Sequence, residues 1–383
     1  MKKVRMGVVG VGSMGIGHLD YISKASHVEL TAVCDVNPER VDYAVNIYKC
    51  ASFSDHRALL KAGVCDAVLI ATPHYAHTTI GIDALKAGLH VLVEKPISVH
   101  KADCERLIAA HQKKGQVFAA MFNQRTDPHY RKIKEMLKRG DLGKLDRITW
   151  VITNWFRTES YYASGGWRAT WAGEGGGVLL NQCPHNLDLW QWLFGMPDRV
   201  RGFCSLGRKH NIEVEDEVTA HLGYNNGCTG VFITSTGEAP GVNRLEIAGE
   251  HGRLTLENGD LRFIRNEVSV SDFLRNSPEK FGIPPVWDIQ IPISGNGGQH
   301  PEVLQNFIDA IVSGVPLIAP AAEGIRSVEL GNAMLYSSET GKTVEMPLDA
   351  RAYERMLKKK ITGSRFVKKT RNVAHQDMSQ SVK

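Results

Sequence analysis

The run Gly10-Val11-Gly12-Ser13-Met14-Gly15 sits where a short apolar stretch, Val4–Val9, gives way to a helical pattern. In that setting each glycine has a physical task. One makes a tight turn, one lets backbone approach a pyrophosphate, and one lets the helix pack on the strand. The helix that follows offers free N–H groups and a positive dipole end to a phosphate, with Ser13 and Met14 at its start. Asp35 closes the second apolar stretch, 20 residues after Gly15. A carboxylate there can accept hydrogen bonds from both ribose hydroxyls of an adenosine half, and it repels a 2′-phosphate. That favours NAD over NADP. Arg40, a few residues on, keeps NADP as the lesser alternative.

Three further segments fall where a doubly wound sheet gathers its ligands, at the carboxyl ends of strands. They are Ala71-Thr72-Pro73-His74 with His77 following, Glu94-Lys95-Pro96, and Gly175-Gly176-Gly177 leading through Asn181 to His185 and Asp188. Each alone has a plain structural explanation: a solvated lysine, a packed histidine, a tight turn. Their order is more specific than any one of them. With the glycine motif and the strand-end Asp35, the chain resembles the Gfo/Idh/MocA oxidoreductase family over nearly all of residues 1–350.

The resemblance implies a nicotinamide-dependent dehydrogenase or reductase acting on sugars or cyclitols. It implies that Lys95 lies beside the nicotinamide and the reacting hydroxyl, and that His185 handles the proton. Thr72, Pro73, His77, Glu94 and Asn123 would join the cofactor site, and Asn123-Gln124-Arg125 matches the family's crossing between domains. The Lys95–Pro96 bond is often cis in such proteins. One residue departs from the pattern: many members carry Asp where this chain has Asn181. Asn cannot be a general base, so the proton role falls to His185. Asn181 would orient the substrate hydroxyl or Lys95 through its amide.

The chemistry asks for these residue types. Oxidising an alcohol removes a hydride from carbon and a proton from oxygen. The proton needs a base near neutrality, which unperturbed imidazole offers at about 6.5. A nearby ammonium stabilises the developing alkoxide. A helix over Asn181–Phe194 would place Asn181 and His185 on one face, four residues apart. Asp188 could then fix the imidazole tautomer. His74, His77, His185 and His300 match no zinc spacing, so no metal is expected.

Six of the seven tryptophans fall between Trp150 and Trp192, with Tyr161, Tyr162, Arg157 and Arg168 among them. Flat rings suit the C–H faces of a pyranose, and arginines suit its hydroxyls. Tyr162, Trp167, Arg168 and His300 are the candidate substrate contacts, while Trp150, Trp190 and Trp192 read as core. The segments Asn181–His185 and Trp167-Arg168 look more like the family branch that oxidises the 3-hydroxyl of glycosides. An inositol dehydrogenase is one alternative. Another is a glycosidase or lyase that works through a transient 3-keto group. A non-catalytic sensor is disfavoured by the presence of both Lys95 and His185.

The elements that must position these groups change character along the chain. Up to Met121, apolar runs (Val4–Val9, Glu29–Cys34, Asp66–Ala71, Leu89–Val93, Val117–Met121) alternate with amphipathic helices. That is a parallel sheet covered on both faces. From Lys144 onward, alternating strands separated by Asn-Gly turns predict an antiparallel meander, with helices at Asn181–Phe194, Pro301–Val312 and Ala322–Glu339. Asn276–Gly298, rich in Pro and Gly, reads as a long loop. The predicted architecture is a Rossmann domain over 1–122, an α+β substrate and oligomerisation domain over 123–350 with a large, mainly antiparallel sheet, and a basic tail over 351–383.

Composition narrows the class. The chain has 383 residues, 43% hydrophobic and 23% charged, which excludes a disordered chain. No apolar run approaches a membrane span. Glycines interrupt the basic-then-apolar start, which reads as a first strand and not a signal peptide. Seven scattered cysteines fit free thiols in a reducing cytoplasm. Of the net +5, the segment 355–383 carries +8, from nine Lys/Arg and one Asp, leaving −3 on the body. The body has no nucleic-acid character, and the tail reads as a solvated terminus. A one-sided sheet needs a cover, so a homo-oligomer is expected.

Overall fold

The computed structural model describes residues 3–371. Its first sheet has six parallel strands: β1 Val4–Val9, β2 Val28–Cys34, β3 Ala51–Phe53, β4 Ala67–Ile70, β5 His90–Val93 and β6 Phe118–Ala120. Their spatial order is β3-β2-β1-β4-β5-β6. The sequence turns back between β1 and β4, the switch point where such sheets bind ligands. Strand β4 is buried at every residue, as a strand with helices on both faces must be.

The second sheet holds nine strands: β7 Leu145–Ile152, β8 Arg199–Leu206, β9 Glu215–Gly223, β10 Thr229–Ser235, β11 Asn243–Gly249, β12 Gly252–Glu257, β13 Asp260–Asn266, β14 Val286–Ile291 and β15 Val344–Glu345. Burial alternates along β7, β9 and β11, so one face packs on helices and the other looks outward. The sheet is mixed, because β10 runs parallel to β7 while its other pairings are antiparallel. The inner face carries the largest core, with Trp150 and Trp190 fully buried.

Two sequence expectations need correction, and one strand was missed. The stretch 276–298 is not all loop: it contains strand β14, Val286–Ile291, which pairs with β13 and half-buries Ile289 and Ile291. Strand β8 lacked a clear signal. Its Gly202 lies so close to the helix Gly324–Thr340 that a Cβ would stand 2.2 Å from the Met334 carbonyl oxygen. The segment after 350 opens with a helix, Ala350–Gly363, which buries Tyr353 and Leu357 and is therefore docked, not frayed. The basic tail beyond residue 371 lies outside the described residues.

Candidate active site

The glycine turn leaves β1 toward the helix Ser13–Lys24. Gly10 has φ +92°, and a Cβ there would stand 2.7 Å from the Ala71 backbone. At Gly15 a Cβ would come within 1.9 Å of the Gly10 carbonyl oxygen. Those two glycines answer the protein's own packing. Gly12 does not, since a Cβ there would meet only Arg40 Nη1, 3.8 Å away. The space is kept open above the turn, and no side chain caps the helix at Gly12. Both features suit a pyrophosphate. Asp35 follows β2, and its two oxygens accept the Val11 N–H at 2.8 Å and the Asn37 N–H at 2.9 Å. Each oxygen retains a lone pair for a ribose hydroxyl.

At the tips of β4, β5 and β6 lie Thr72, Lys95 and Asn123. The Thr72 hydroxyl and the Asn123 Oδ1 are buried without partners, while Asn123 Nδ2 donates to Gln299 at 2.7 Å. Orphaned polar atoms at the strand tips beside the switch point fit the amide and hydroxyls of a dinucleotide. His77 does not join them. Its two ring nitrogens meet the Pro96 carbonyl at 2.8 Å and the Thr72 carbonyl at 2.7 Å. It therefore braces the two loops and contributes no free atom to a cofactor. Pro73 opens the helix His74–Ala87, and Lys95–Pro96 is cis.

Glu94 and Lys95 face different neighbours. Glu94 accepts from His18 Nε2 at 2.7 Å and from the Lys95 N–H at 3.0 Å. Burial opposes its charge, but the bond to and the charge of His18 hold its carboxyl well below the usual range. The Lys95 ammonium donates to the Asn181 carbonyl at 2.9 Å. Burial and the nearby Arg168 push Lys95 down, against the pull of Glu94 and Glu174.

Asn181 thus orients Lys95 through its backbone, not through its amide. The amide nitrogen instead donates to Glu174, and its Oδ1 accepts from Tyr161 OH at 3.2 Å. Nor does Asn181 share a helix with His185. The helix starts at Pro184, and Asn181 lies in the preceding turn with its N–H on the Gly177 carbonyl. Proline fills the first helical position and disfavours helical backbone before it.

His185 sits in the first turn of that helix, buried, with its ring edge-on to Phe122 and Nδ1 unpartnered. Burial, Lys95 and His300 drive its pKa well below 6.5. Asp188 does not touch it. Its carboxylate takes a two-pronged bond from Arg125, at 2.7 and 2.6 Å, which fits the planar fork better than any histidine geometry would. Burial also pushes His300 down to about 4, beside His18 and Tyr21.

Around this centre, Arg168 lies over the rings of Tyr161 and Trp167, at 4.8 and 4.7 Å, and Trp167 packs edge-on to His74. Tyr162 is not among them. It is buried in the core with its OH on Thr236 at 2.8 Å. Its neighbour Tyr161 faces the site, accepting from Arg168 Nη1 at 3.0 Å and from Gln182 Nε2 at 3.2 Å. Two adjacent tyrosines in a short helix carry no sequence signal for which turns inward.

Sequence reasoning also missed two acids. Glu174, pushed up by burial, accepts from the Ala169 N–H at 2.6 Å as well as from Asn181. Glu215, pushed up to about 7 by burial, accepts the Gly177 N–H at 2.8 Å and the Leu179 N–H at 3.2 Å, bracing the triple-glycine turn. An acid abutting a glycine run was the available hint for Glu174. Glu215 arrives from a distant strand and gave none. Among the described residues, no group of three His, Cys, Asp or Glu could hold a metal ion, and no helix is long and apolar enough to cross a membrane.

The glycine turn, the open space at Gly12 and the unpartnered polar atoms at the sheet's tips define a dinucleotide-binding oxidoreductase. Residues 4–122 match the model of the oxidoreductase family with an NAD-binding Rossmann fold, and residues 130–255 match the Gfo/Idh/MocA C-terminal domain. The chain belongs to the Gfo/Idh/MocA family, and NAD is its cofactor. It is 24% identical to the uncharacterized oxidoreductase YrbE of Bacillus subtilis over 352 residues, covering 90% of this chain and 97% of that one. It is also 24% identical to an inositol 2-dehydrogenase of Salmonella paratyphi B over 371 residues, with 90% and 97% covered. Among solved structures, the WlbA dehydrogenase of Bordetella pertussis, in complex with NADH and UDP-GlcNAcA, superposes with a TM-score of 0.77 at 26% identity, over 91% of this chain and 100% of that one.

Proposed function

We propose that this protein is a sugar or glycoside dehydrogenase. It moves hydride between a secondary hydroxyl, the 3-position of a glycoside ring being favoured, and nicotinamide. The observation that carries the reading is one half-buried ammonium and one buried imidazole brought to the tips of the first sheet, each biased by its surroundings toward the neutral form. The inositol dehydrogenase relative and the sugar nucleotide held by the WlbA dehydrogenase support a ring polyol as substrate.

NAD, when bound, supplies the carbon that takes the hydride. Gly10, Gly12, Ser13, Met14 and Gly15 would hold its pyrophosphate. Asp35 and Arg40 would flank its adenosine ribose, and Thr72, Pro73, Glu94 and Asn123 would line its path toward the reacting end. Lys95, fixed by the Asn181 carbonyl, keeps further N–H donors for the substrate oxygen. It stabilises negative charge there as the proton leaves. His185, neutral, accepts that proton. Glu174 holds Asn181, and through it Lys95, in place. Trp167 and Arg168 would contact the ring, with His300 at the edge of the site. Copies of the chain would meet through the outward face of the second sheet.

The test is a screen of sugars, glycosides and inositols that follows NADH absorbance and released aglycone together. NADH formation without cleavage is expected. Lys95→Ala and His185→Ala should each lower kcat about 100-fold or more with NAD affinity retained. Aglycone release would move the reading to a lyase, and near-normal turnover by both variants would remove them from the site.

A further inference from the structure

Asn123 carries an amide whose two ends are treated differently. Its Nδ2 donates to Gln299 Oε1 at 2.7 Å, while its Oδ1 is buried without a partner. A backbone group decides which end is which. Gln299 Nε2 donates to the Asn296 carbonyl. A carbonyl only accepts, so the Gln299 nitrogen must face Asn296 and its oxygen is left for Asn123. That oxygen also only accepts, so Asn123 must turn its own nitrogen toward Gln299. Two amides in series thus carry a fixed polarity from the loop before the helix Gln299–Ser313 to the tip of β6, and they end on a free acceptor.

The backbone holds Gln299 in that position. Its N–H donates to the Thr126 hydroxyl at 2.9 Å, and that hydroxyl donates to the Asn123 carbonyl at 2.7 Å. Thr126 is fully buried. The loop before Gln299 presses on the same turn, since a Cβ at Gly297 would run into the Thr126 carbonyl. Gln299 itself takes φ +49°, in the left-handed region. A glycine would meet that backbone demand with less strain, so the glutamine side chain is held there against a local preference.

The nicotinamide of NAD carries a carboxamide, with an acceptor oxygen at one end and a donor amino group at the other. An acceptor fixed at Asn123 matches the amino end. We propose that Gln299 is a positioning residue for the cofactor: it sets the Asn123 amide so that Oδ1 accepts the carboxamide N–H, and so fixes which way the carboxamide points. This rests on the reading that places Asn123 along the cofactor's path toward its reacting end. It gives a loop residue outside every sequence motif a part in recognising the redox ring.

The test is calorimetric binding, to dinucleotide-free protein, of NAD and of 3-acetylpyridine adenine dinucleotide, in which a methyl group replaces the carboxamide amino group. Wild type should bind NAD about tenfold tighter, because the analogue leaves a buried acceptor unpaired. Gln299→Met frees the Asn123 amide to turn, and should cut that preference to about twofold or less without weakening the analogue. Gln299→Glu still offers an acceptor to Asn123 Nδ2 and should keep the preference. Equal binding of the two dinucleotides by wild type, a measurement that needs no variant to fold, would overturn the inference. So would a preference that survives Gln299→Met, an equal loss on both dinucleotides in Gln299→Met, or a Gln299→Glu protein that behaves like Gln299→Met. Asn123→Ala separates this from the reading beneath it. Loss of the preference there but not in Gln299→Met would retire Gln299 and keep Asn123 on the cofactor's path. Unchanged binding of both dinucleotides in Asn123→Ala would take Asn123 off that path, and the inference with it.

Discussion

His185 is buried beside the Lys95 ammonium, and both facts act against a second positive charge. Its imidazole stays neutral at pH values where an exposed histidine would already take a proton. A base works only unprotonated, so the proposed role of His185 predicts that alcohol oxidation is lost as pH falls through its folded pKa. That limb must lie well below 6.5. The expected kcat/KM profile changes less than about twofold between pH 7.5 and 6.5 on account of this group, and drops tenfold per unit only further down. An apparent acid limb at or above 6.5 in a stopped-flow or steady-state profile would take the base role from His185. The same logic explains Glu94. Its carboxylate is answered by His18, so its charge persists beside Lys95 and favours the ammonium.

Arg125 is the point where elements meet. It lies in the short helical turn Asn123–Thr126 after the first sheet, and is 1% exposed. It reaches Asp188 on the helix Pro184–Phe194, Glu323 at 2.6 Å, and the Ile318 carbonyl at 3.2 Å. One guanidinium thereby ties the crossing between the sheets to the helix that carries His185. Removing it leaves a buried carboxylate uncompensated. Arg125→Met should cost about 3–5 kcal/mol, read as a fall in Tm and in denaturant midpoint. Pairing it with Asp188→Leu should recover much of that loss, because a neutral pair no longer strands a charge. If Arg125→Met alone left the midpoint unchanged, the pair would hold nothing together.

At the scale of the whole molecule, the two sheets differ in what covers them. The first has helices on both faces. The second packs one face on helices and turns Val151, Phe203, Val231 and Ile233 outward, Phe203 with 57% of its surface exposed. A sheet face of β-branched and aromatic residues is stabilised by a second layer. Light scattering of the purified protein should report a multiple of 42.3 kDa, and Phe203→Glu should shift it toward one copy. A wild-type protein of single-copy mass at micromolar concentration would overturn assembly through this face.

The first sheet was almost wholly legible in the sequence, because buried parallel strands are continuous apolar runs and the helices between them carry their own periodicity. The cofactor turn was legible for the same local reason: glycine is demanded where backbone bends or something must come close. The positions of Lys95 at a strand tip and of His185 in a helix's first turn were legible through their motifs. The partners of those residues were not. That Asn181 would work through its carbonyl, that Tyr161 and not Tyr162 would face the site, that Asp188 would be claimed by Arg125, and that Glu215 would brace a turn 38 residues away all depend on which chains meet in space. Hydrogen bonds between distant residues leave no period or composition behind. The pairing of β14 with β13 and the docking of the C-terminal helix belong with them, since a distant neighbour sets each. Local backbone demands and burial periods are written in the chain itself, while the charge around each buried group is decided only when the tertiary structure chooses its neighbours.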